Sequence, residues 1–244
     1  MADDSFQNAA TGLALLRSAL VCRIVIVGLA IAYAATLIAS PQTHDSGGFG
    51  LLLGFAELAT TVVALVGAAR FASRAPDGVA GSAGFAPLCL GVAILVQVYS
   101  LWITWQVFEY NSDGGSGLRA RDVMALEVGL RRMPYLAIGS AVAALLAMLS
   151  IIGGIASVAR ALSRPALVQR AHATGLGLFV FAVLFSIVQS WSKRAHPDVV
   201  AAGVVAAIAI ALLVAYVLLL GEAIKVMRYG APKLPVAHVI TGPK

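Results

Sequence analysis

Six long apolar runs alternate with short polar connections along the 244-residue chain. Each run approaches the roughly 20 residues that a helix needs to cross a bilayer. Polar residues do not gather on one face of these runs, as they do in the surface helices of soluble proteins. The pattern predicts an all-α integral membrane protein, a bundle of about six transmembrane helices. The predicted spans cover residues 21–40, 49–69, 85–110, 134–159, 174–191 and 199–221.

Three further segments flank these spans. Residues 1–20 carry apolar side chains at near-helical spacing, which indicates either a helix on the cytoplasmic membrane surface or an extension of the first span. Residues 118–133 have apolar and charged faces, so we expect a short amphipathic interfacial helix that ends at Pro134. Residues 21–222 would then form the transmembrane domain, and residues 223–244 a cytoplasmic C-terminal tail.

Composition and charge agree with a membrane protein and suggest its orientation. Hydrophobic residues make up 60% of the chain, charged residues make up 11%, and the mean hydropathy is +0.93. Most of the 17 Lys and Arg residues fall on the cytoplasmic side if both termini are cytoplasmic. Trp102, Trp105 and Trp191 then lie at outer helix ends, where interfacial aromatic residues belong. Together with an Ala-, Gly- and Arg-rich composition, the apolar runs and the distribution of charge predict a multi-pass protein of a bacterial inner membrane.

The second span contains a carboxylate on a face of small residues. Glu57 shares this face with five residues spaced three or four apart, which are Gly50, Gly54, Thr61, Ala64 and Ala68. Small residues let membrane helices approach closely, and Gly50 with Gly54 forms a GxxxG step. We therefore expect Glu57 to face a neighbouring helix and not lipid.

The third span supplies the expected neighbours of Glu57. Gln97 and Ser100 share one face and fall near the depth of Glu57 if the second and third spans are antiparallel. No Lys or Arg is predicted at that depth, so we expect Glu57 to be protonated and hydrogen-bonded to these groups. Two roles remain open for Glu57: a carrier of protons or cations, or a permanently hydrogen-bonded contact between helices.

Two other small-residue faces point to helix packing. Gly203, Ala207, Ala211 and Ala215 recur every fourth residue on the sixth span, and Ala143, Ala147, Ser150 and Gly154 form a similar face on the fourth. Such faces suit a tight bundle or an interface with another chain. We therefore expect self-association or a partner membrane protein.

Candidate chemistry beyond this carboxylate is sparse. The four His residues, at positions 44, 172, 196 and 238, fall in predicted connections or tails, so paired haem ligation within the bilayer is not expected. The sequence has no HExxH motif or P-loop, and its basic residues are scattered instead of forming a nucleic-acid patch. We expect no cofactor, no metal and no nucleic acid, and the enzyme hypothesis is the weakest.

The sequence thus favours a noncatalytic subunit or assembly component of a membrane complex, in contact with the lipid bilayer. The alternative is a small transporter or channel in which Glu57 couples protons or cations. That alternative predicts a polar cavity among the second, third and fifth spans. Its predicted lining is Glu57, Gln97, Ser100, Ser186 and Gln189.

Overall fold

The fold is a bundle of long helices. A computed structural model describes residues 2–39, 48–74, 82–112, 120–192 and 199–229, nearly all of them helical. The helices are α1 (Ala2–Ala39), α2 (Gly48–Arg74), α3 (Phe85–Ser112), α4 (Ala120–Ala161), α5 (Pro165–Ser192) and α6 (Val199–Tyr229). All six are long and apolar enough to cross a membrane, as the sequence predicts. The C-terminal tail beyond residue 229 lies outside the described residues.

Helix α1 is continuous from Ala2 to Ala39, so residues 1–20 do not form a separate surface helix. Its apolar span runs from Phe6 to Tyr33 and begins well before residue 21. Early positions such as Ala9 and Leu13 are fully buried in the bundle, which explains why the span starts there. The shift moves Arg23 from the predicted cytoplasmic end of the helix to near the middle of the span.

Helix α4 runs without a break through Pro134, so the predicted interfacial helix ending at Pro134 is wrong. A proline removes one backbone hydrogen bond and can kink a helix, but the helix can continue beyond it. Packing also holds the early part of α4 in the bundle. A Cβ atom at Gly129 would lie 3.2 Å from Ile103 Cδ1 of α3.

The fifth helix also starts earlier than predicted. Pro165 is its first residue, a position where the missing proline N–H costs nothing because the first N–H groups of a helix have no partner within it. The turn before it contains Ser163 in the left-handed conformation, with φ of 54°. His172 therefore lies inside α5, and the prediction that it belongs to a connection is wrong.

The six helices form a closed ring. Each packs against its neighbours in sequence, and α6 returns to pack against α1. Because consecutive helices are antiparallel, the start of α1 and the end of α6 share one end of the bundle with the α2–α3 and α4–α5 connections. We call this the terminal end and the other the opposite end.

Buried side chains concentrate at the terminal end of the ring. Among the side chains that the structure describes, the buried residues of α1 all precede Val21 and those of α6 begin at Tyr216. Large buried side chains such as Phe71, Ile155 and Met227 fill the ring there. Leu51 and Ile103 are buried nearer the opposite end.

Among the described residues, side chains on the inner helix faces are more exposed towards the opposite end. Ile31 lies on the same face of α1 as buried Leu20, yet it is 49% exposed. Phe185, on the same face of α5 as buried Leu178, is 38% exposed. A Cβ atom at Gly50 of α2 would have nothing within 4 Å. Among the described residues, the core is therefore packed most tightly at the terminal end.

Labelling of introduced cysteines tests this arrangement of ends. In a variant with Cys22→Ala and Cys89→Ala, Ser163→Cys lies at the terminal end and Glu109→Cys at the opposite end. We expect a membrane-impermeant maleimide to reach these two cysteines from opposite sides of sealed vesicles. Labelling of both from one side would contradict a bundle that crosses the membrane.

Candidate functional site

Helices α1 and α2 meet with their backbones in contact. A Cβ atom at Gly12 would lie 2.6 Å from Phe71 N and 2.7 Å from Gly67 O. A Cβ atom at Gly67 would lie 2.7 Å from Gly12 O. Because no other residue type fits at this separation, the two glycines fix the register of the antiparallel pair. Farther along the same pair, that register sets Arg23 opposite Glu57.

Arg23 and Glu57 form an ion pair between these two helices. Arg23 Nη2 donates to Glu57 Oε1 over 2.6 Å. The expectation that no cation reaches Glu57 is therefore wrong. That expectation placed Arg23 near the start of the first span. The apolar span of α1 begins earlier, at Phe6, so Arg23 lies near its middle.

The ion pair lies near the middle of the apolar spans of α1 and α2 and faces the inside of the ring. Both residues are roughly 5 Å from the middle of their apolar spans, Phe6–Tyr33 and Gly48–Ser73, at the rise of an α-helix. Glu57 shares a helix face with buried Thr61, and Arg23 shares one with buried Leu16. Both charges therefore point inwards from their helices.

Two more polar groups lie at the same level on other helices. Gly54 of α2 faces Leu101 of α3. Because the two helices are antiparallel, Glu57, three residues after Gly54, lies opposite a position next to Gln97. Likewise, Arg17 of α1 lies beside Gly221 of α6, which sets Tyr216 close to the level of Arg23. Four helices thus contribute one polar side chain each to a single level, which we call the polar layer: Arg23, Glu57, Gln97 and Tyr216.

Two oxygen atoms of the polar layer have no hydrogen-bond partner. They are Gln97 Oε1 and Tyr216 Oη, both buried, and they are the only such side-chain atoms among the described residues. A buried polar group without a partner costs about 1 to 3 kcal/mol. Nearby hydroxyl groups do not supply donors to them. Thr60 and Thr61 both donate to the backbone oxygen of Glu57.

The polar layer marks the boundary between the two halves of the ring. The Glu57 side chain remains 41% exposed and that of Arg23 25% exposed, although both face inwards. On the side of the terminal end, Tyr216 is almost fully buried and begins the packed core. The ion pair therefore lies where the packed core ends.

A small cavity extends from the polar layer into the packed half. Its volume is about 30 Å³, and its lining includes Arg23, Thr60, Thr61 and Tyr216. A water molecule needs about 10 to 15 Å³ of such volume, so the cavity has room for about two. It is bordered by α1, α2, α3, α4 and α6. This cavity is not the polar cavity expected among the second, third and fifth spans, because its lining is mostly apolar and includes none of Glu57, Gln97 and Ser100.

The remaining predicted site residues are distributed as follows. Ser100 lies half-buried on the inner face of α3, and its backbone oxygen accepts from Thr104. The side chains of Gln189 and Ser186 lie outside the described residues. A Cβ atom at Gly54 would lie 2.6 Å from Leu101 Cδ2, whereas a Cβ atom at Gly50 would have nothing within 4 Å.

The two small-residue faces differ in their surroundings. On α4, Ala143 and Ala147 are buried within the bundle, and a Cβ atom at Gly154 would lie 2.8 Å from Ala83 Cβ. On α6, Ala207 and Ala211 are exposed and face away from the ring, while Gly203 lies outside the described side chains. An interface with another chain through the α6 face stays a prediction.

Sequence reasoning missed Arg23 and Tyr216 as members of the polar layer. The signal for Arg23 was its spacing of seven residues from Leu16 and of fourteen from Ala9, which puts it on the inner face of a longer helix. Tyr216 could have been found as a lone hydroxyl within the apolar run of the sixth span.

Comparison with known proteins gives no relative. No protein-family model, curated protein or solved structure matches this chain.

Proposed function

We propose that this protein is a small bacterial inner-membrane transporter or channel, with both termini in the cytoplasm, in which Arg23 and Glu57 couple the passage of protons or cations. The observation that carries this proposal is their ion pair, which faces the inside of the ring near the middle of the two apolar spans and stays partly exposed, with 25% of the Arg23 side chain and 41% of the Glu57 side chain accessible. Ionisable groups within a membrane are costly, and they commonly mark solute or proton pathways.

The ion pair also changes the balance between the two functions considered from the sequence. A carboxylate without an ionisable partner favours a neutral structural contact over a carrier of protons or cations. With Arg23 as a partner, Glu57 can be charged at this depth. A group that is charged when paired and neutral when protonated has the two states that coupling requires.

The polar layer offers Arg23 other partners when Glu57 binds a proton or a cation. Protonation removes the negative charge that holds the guanidinium in place. Gln97 Oε1 and Tyr216 Oη are acceptors at the same level without a partner. We propose that Arg23 moves towards them as Glu57 is neutralised, so that occupation of Glu57 is linked to a rearrangement at the boundary of the packed half.

Ion flux into vesicles tests this function. Purified protein is reconstituted into liposomes, proton, sodium and potassium gradients are imposed in turn, and a dye sensitive to the ion tested is enclosed in the vesicles. We expect the wild type to carry a flux above that of protein-free vesicles for at least one ion, and Glu57→Gln to reduce it to the protein-free level. Glu109→Gln, an exposed carboxylate at the opposite end, should retain the wild-type flux.

The proposal fails if wild-type and protein-free vesicles behave alike under all three gradients, or if Glu109→Gln loses as much flux as Glu57→Gln. The first result would favour the second candidate, a noncatalytic subunit. That candidate is favoured by the exposed small-residue face of α6, formed by Ala207 and Ala211, which points away from the ring. A stoichiometric partner retained during purification from native membranes would support it.

A further inference from the structure

A groove runs along the outer surface of the bundle between α4 and α5. Its volume is about 530 Å³. Apolar and glycine residues form most of its wall, and His172 is its one polar residue. The lining consists of Leu149, Ile152, Gly153, Ala171, His172, Gly175, Leu176 and Phe179.

Two glycines form part of the groove wall. Gly153 of α4 and Gly175 of α5 both contribute to its wall. A Cβ atom at Gly175 would lie 3.4 Å from Ile152 Cγ2 and 3.9 Å from Leu149 Cδ2, which are ordinary van der Waals distances. Glycine at this position is therefore not required for helix packing, and its effect is to leave space. Leu176 and Phe179, largely exposed, flank that space on the outer surface.

A basic pair closes the terminal end of the groove. Arg160 Nη2 lies 3.2 Å from His172 Nε2. Arginine can only donate, so Nε2 is the acceptor and the imidazole proton is on Nδ1. The remaining guanidinium N–H groups and the Nδ1–H group are then donors at the mouth of the groove. Arg160 and His172 are both exposed, and the lining contains no carboxylate.

The position of the basic pair and the length of the groove match a lipid molecule aligned with the membrane normal. Arg160 is close to the end of its apolar span, which runs from Glu127 to Ala161, so it lies where headgroups meet the hydrocarbon. From Arg160 to Leu149 the α4 wall extends roughly 16 Å at the rise of an α-helix. Basic pockets between transmembrane helices on the cytoplasmic side are known to bind anionic lipid headgroups.

We infer that this groove is a binding site for an anionic phospholipid, with its phosphate at Arg160 and His172 and one acyl chain along Gly175 towards Phe179. Charge complementarity at the mouth selects the headgroup, because arginine and imidazole N–H donors suit phosphate oxygens. The apolar wall selects the chain. The site lies on the outer surface, away from the polar layer, and does not depend on the proposed transport function.

Native mass spectrometry with defined lipids tests the site. Delipidated protein in mild detergent is titrated with phosphatidylglycerol or phosphatidylcholine that carry the same acyl chains. One arginine near a membrane surface contributes about 1 kcal/mol of attraction to anionic lipid, which corresponds to about a fivefold preference. We expect the first bound phosphatidylglycerol to show this preference, and Arg160→Gln to remove it.

Matched variants separate this site from general attraction to lipid. Arg70→Gln removes an exposed cation of α2, at the same end but away from the groove, and should keep the preference. Gly175→Leu fills the groove and should weaken binding of both lipids, whereas Gly139→Leu, at a glycine of α4 with nothing near its Cβ position, should not. Glycerol phosphate, which has no acyl chains, should not displace the bound lipid.

Three results would overturn the inference. They are equal binding of the two lipids by the wild type, an equal loss of preference in Arg70→Gln and Arg160→Gln, and unchanged binding in Gly175→Leu. Displacement of the lipid by glycerol phosphate would show that the basic pair binds free phosphate and that the groove has no part in it. None of these results bears on ion flux, so the two proposals fail independently.

Discussion

Gly12→Val is expected to separate α1 from α2 and to lower the stability of the bundle by about 3 kcal/mol, the upper part of the usual range for overpacking. A Cβ atom at this position already overlaps two backbone atoms, Phe71 N at 2.6 Å and Gly67 O at 2.7 Å. These backbone atoms cannot relieve the overlap by a change of rotamer, as the end of a flexible side chain can. The two helices must move apart, and the γ-methyl groups of valine enlarge that movement.

Thermal denaturation in detergent, followed by the fraction of protein that elutes as a monodisperse peak, measures this loss. Gly28→Val is the matched control, since it makes the same change in the same helix where nothing lies within 4 Å of the Cβ position. It should denature at the wild-type temperature. Equal denaturation temperatures for Gly12→Val and the wild type would show that the backbone contact between α1 and α2 is absent in the protein.

Single substitutions in the ion pair are expected to be more harmful than the double substitution. Arg23→Gln or Glu57→Gln leaves one charge without its partner at mid-depth, which costs 3 to 5 kcal/mol in fully buried pairs. Because both side chains are partly accessible, we expect about 2 kcal/mol for each single variant. With both changes together, no unpaired charge remains.

A double-mutant cycle on thermal stability measures this coupling. The double variant should be destabilised by clearly less than the sum of the two single variants, with a coupling energy of at least about 1 kcal/mol. The exposed pair of Arg131 and Glu127 at the opposite end provides the comparison. Its coupling should be about 0.3 to 0.5 kcal/mol, as for surface pairs one helical turn apart. Additive single effects at Arg23 and Glu57 would contradict a direct interaction.

Much of the architecture could be predicted from the sequence because it depends on local properties. The length of an apolar run decides whether a helix can cross the bilayer, and the spacing of small residues shows which face of α2 is turned inwards. For the same reason, Glu57 was recognised as a group that faces other helices. Its depth relative to Gln97 followed from the antiparallel connection of neighbouring spans.

What could not be predicted depends on contacts between distant parts of the chain. The start of α1 is set by packing of Ala9 and Leu13 in the core, which hydropathy does not reveal. The partner of Glu57 is set by the register of α1 against α2, and that register is fixed by the contact between Gly12 and Gly67. The sequence also does not decide whether α4 continues through Pro134, because a proline can either end a helix or kink it.

The closure of the ring by its first and last helices has a consequence for biosynthesis. Helix α1 is synthesised before the other five helices, yet its neighbour α6 is made only after α2, α3, α4 and α5. Until then, the side of α1 that receives α6 near Arg17 has no neighbour from its own chain. Tyr216 cannot join Arg23 and Glu57 before this last step. The hairpin of α1 and α2 can assemble early, but the polar layer is complete only after α6 has been synthesised.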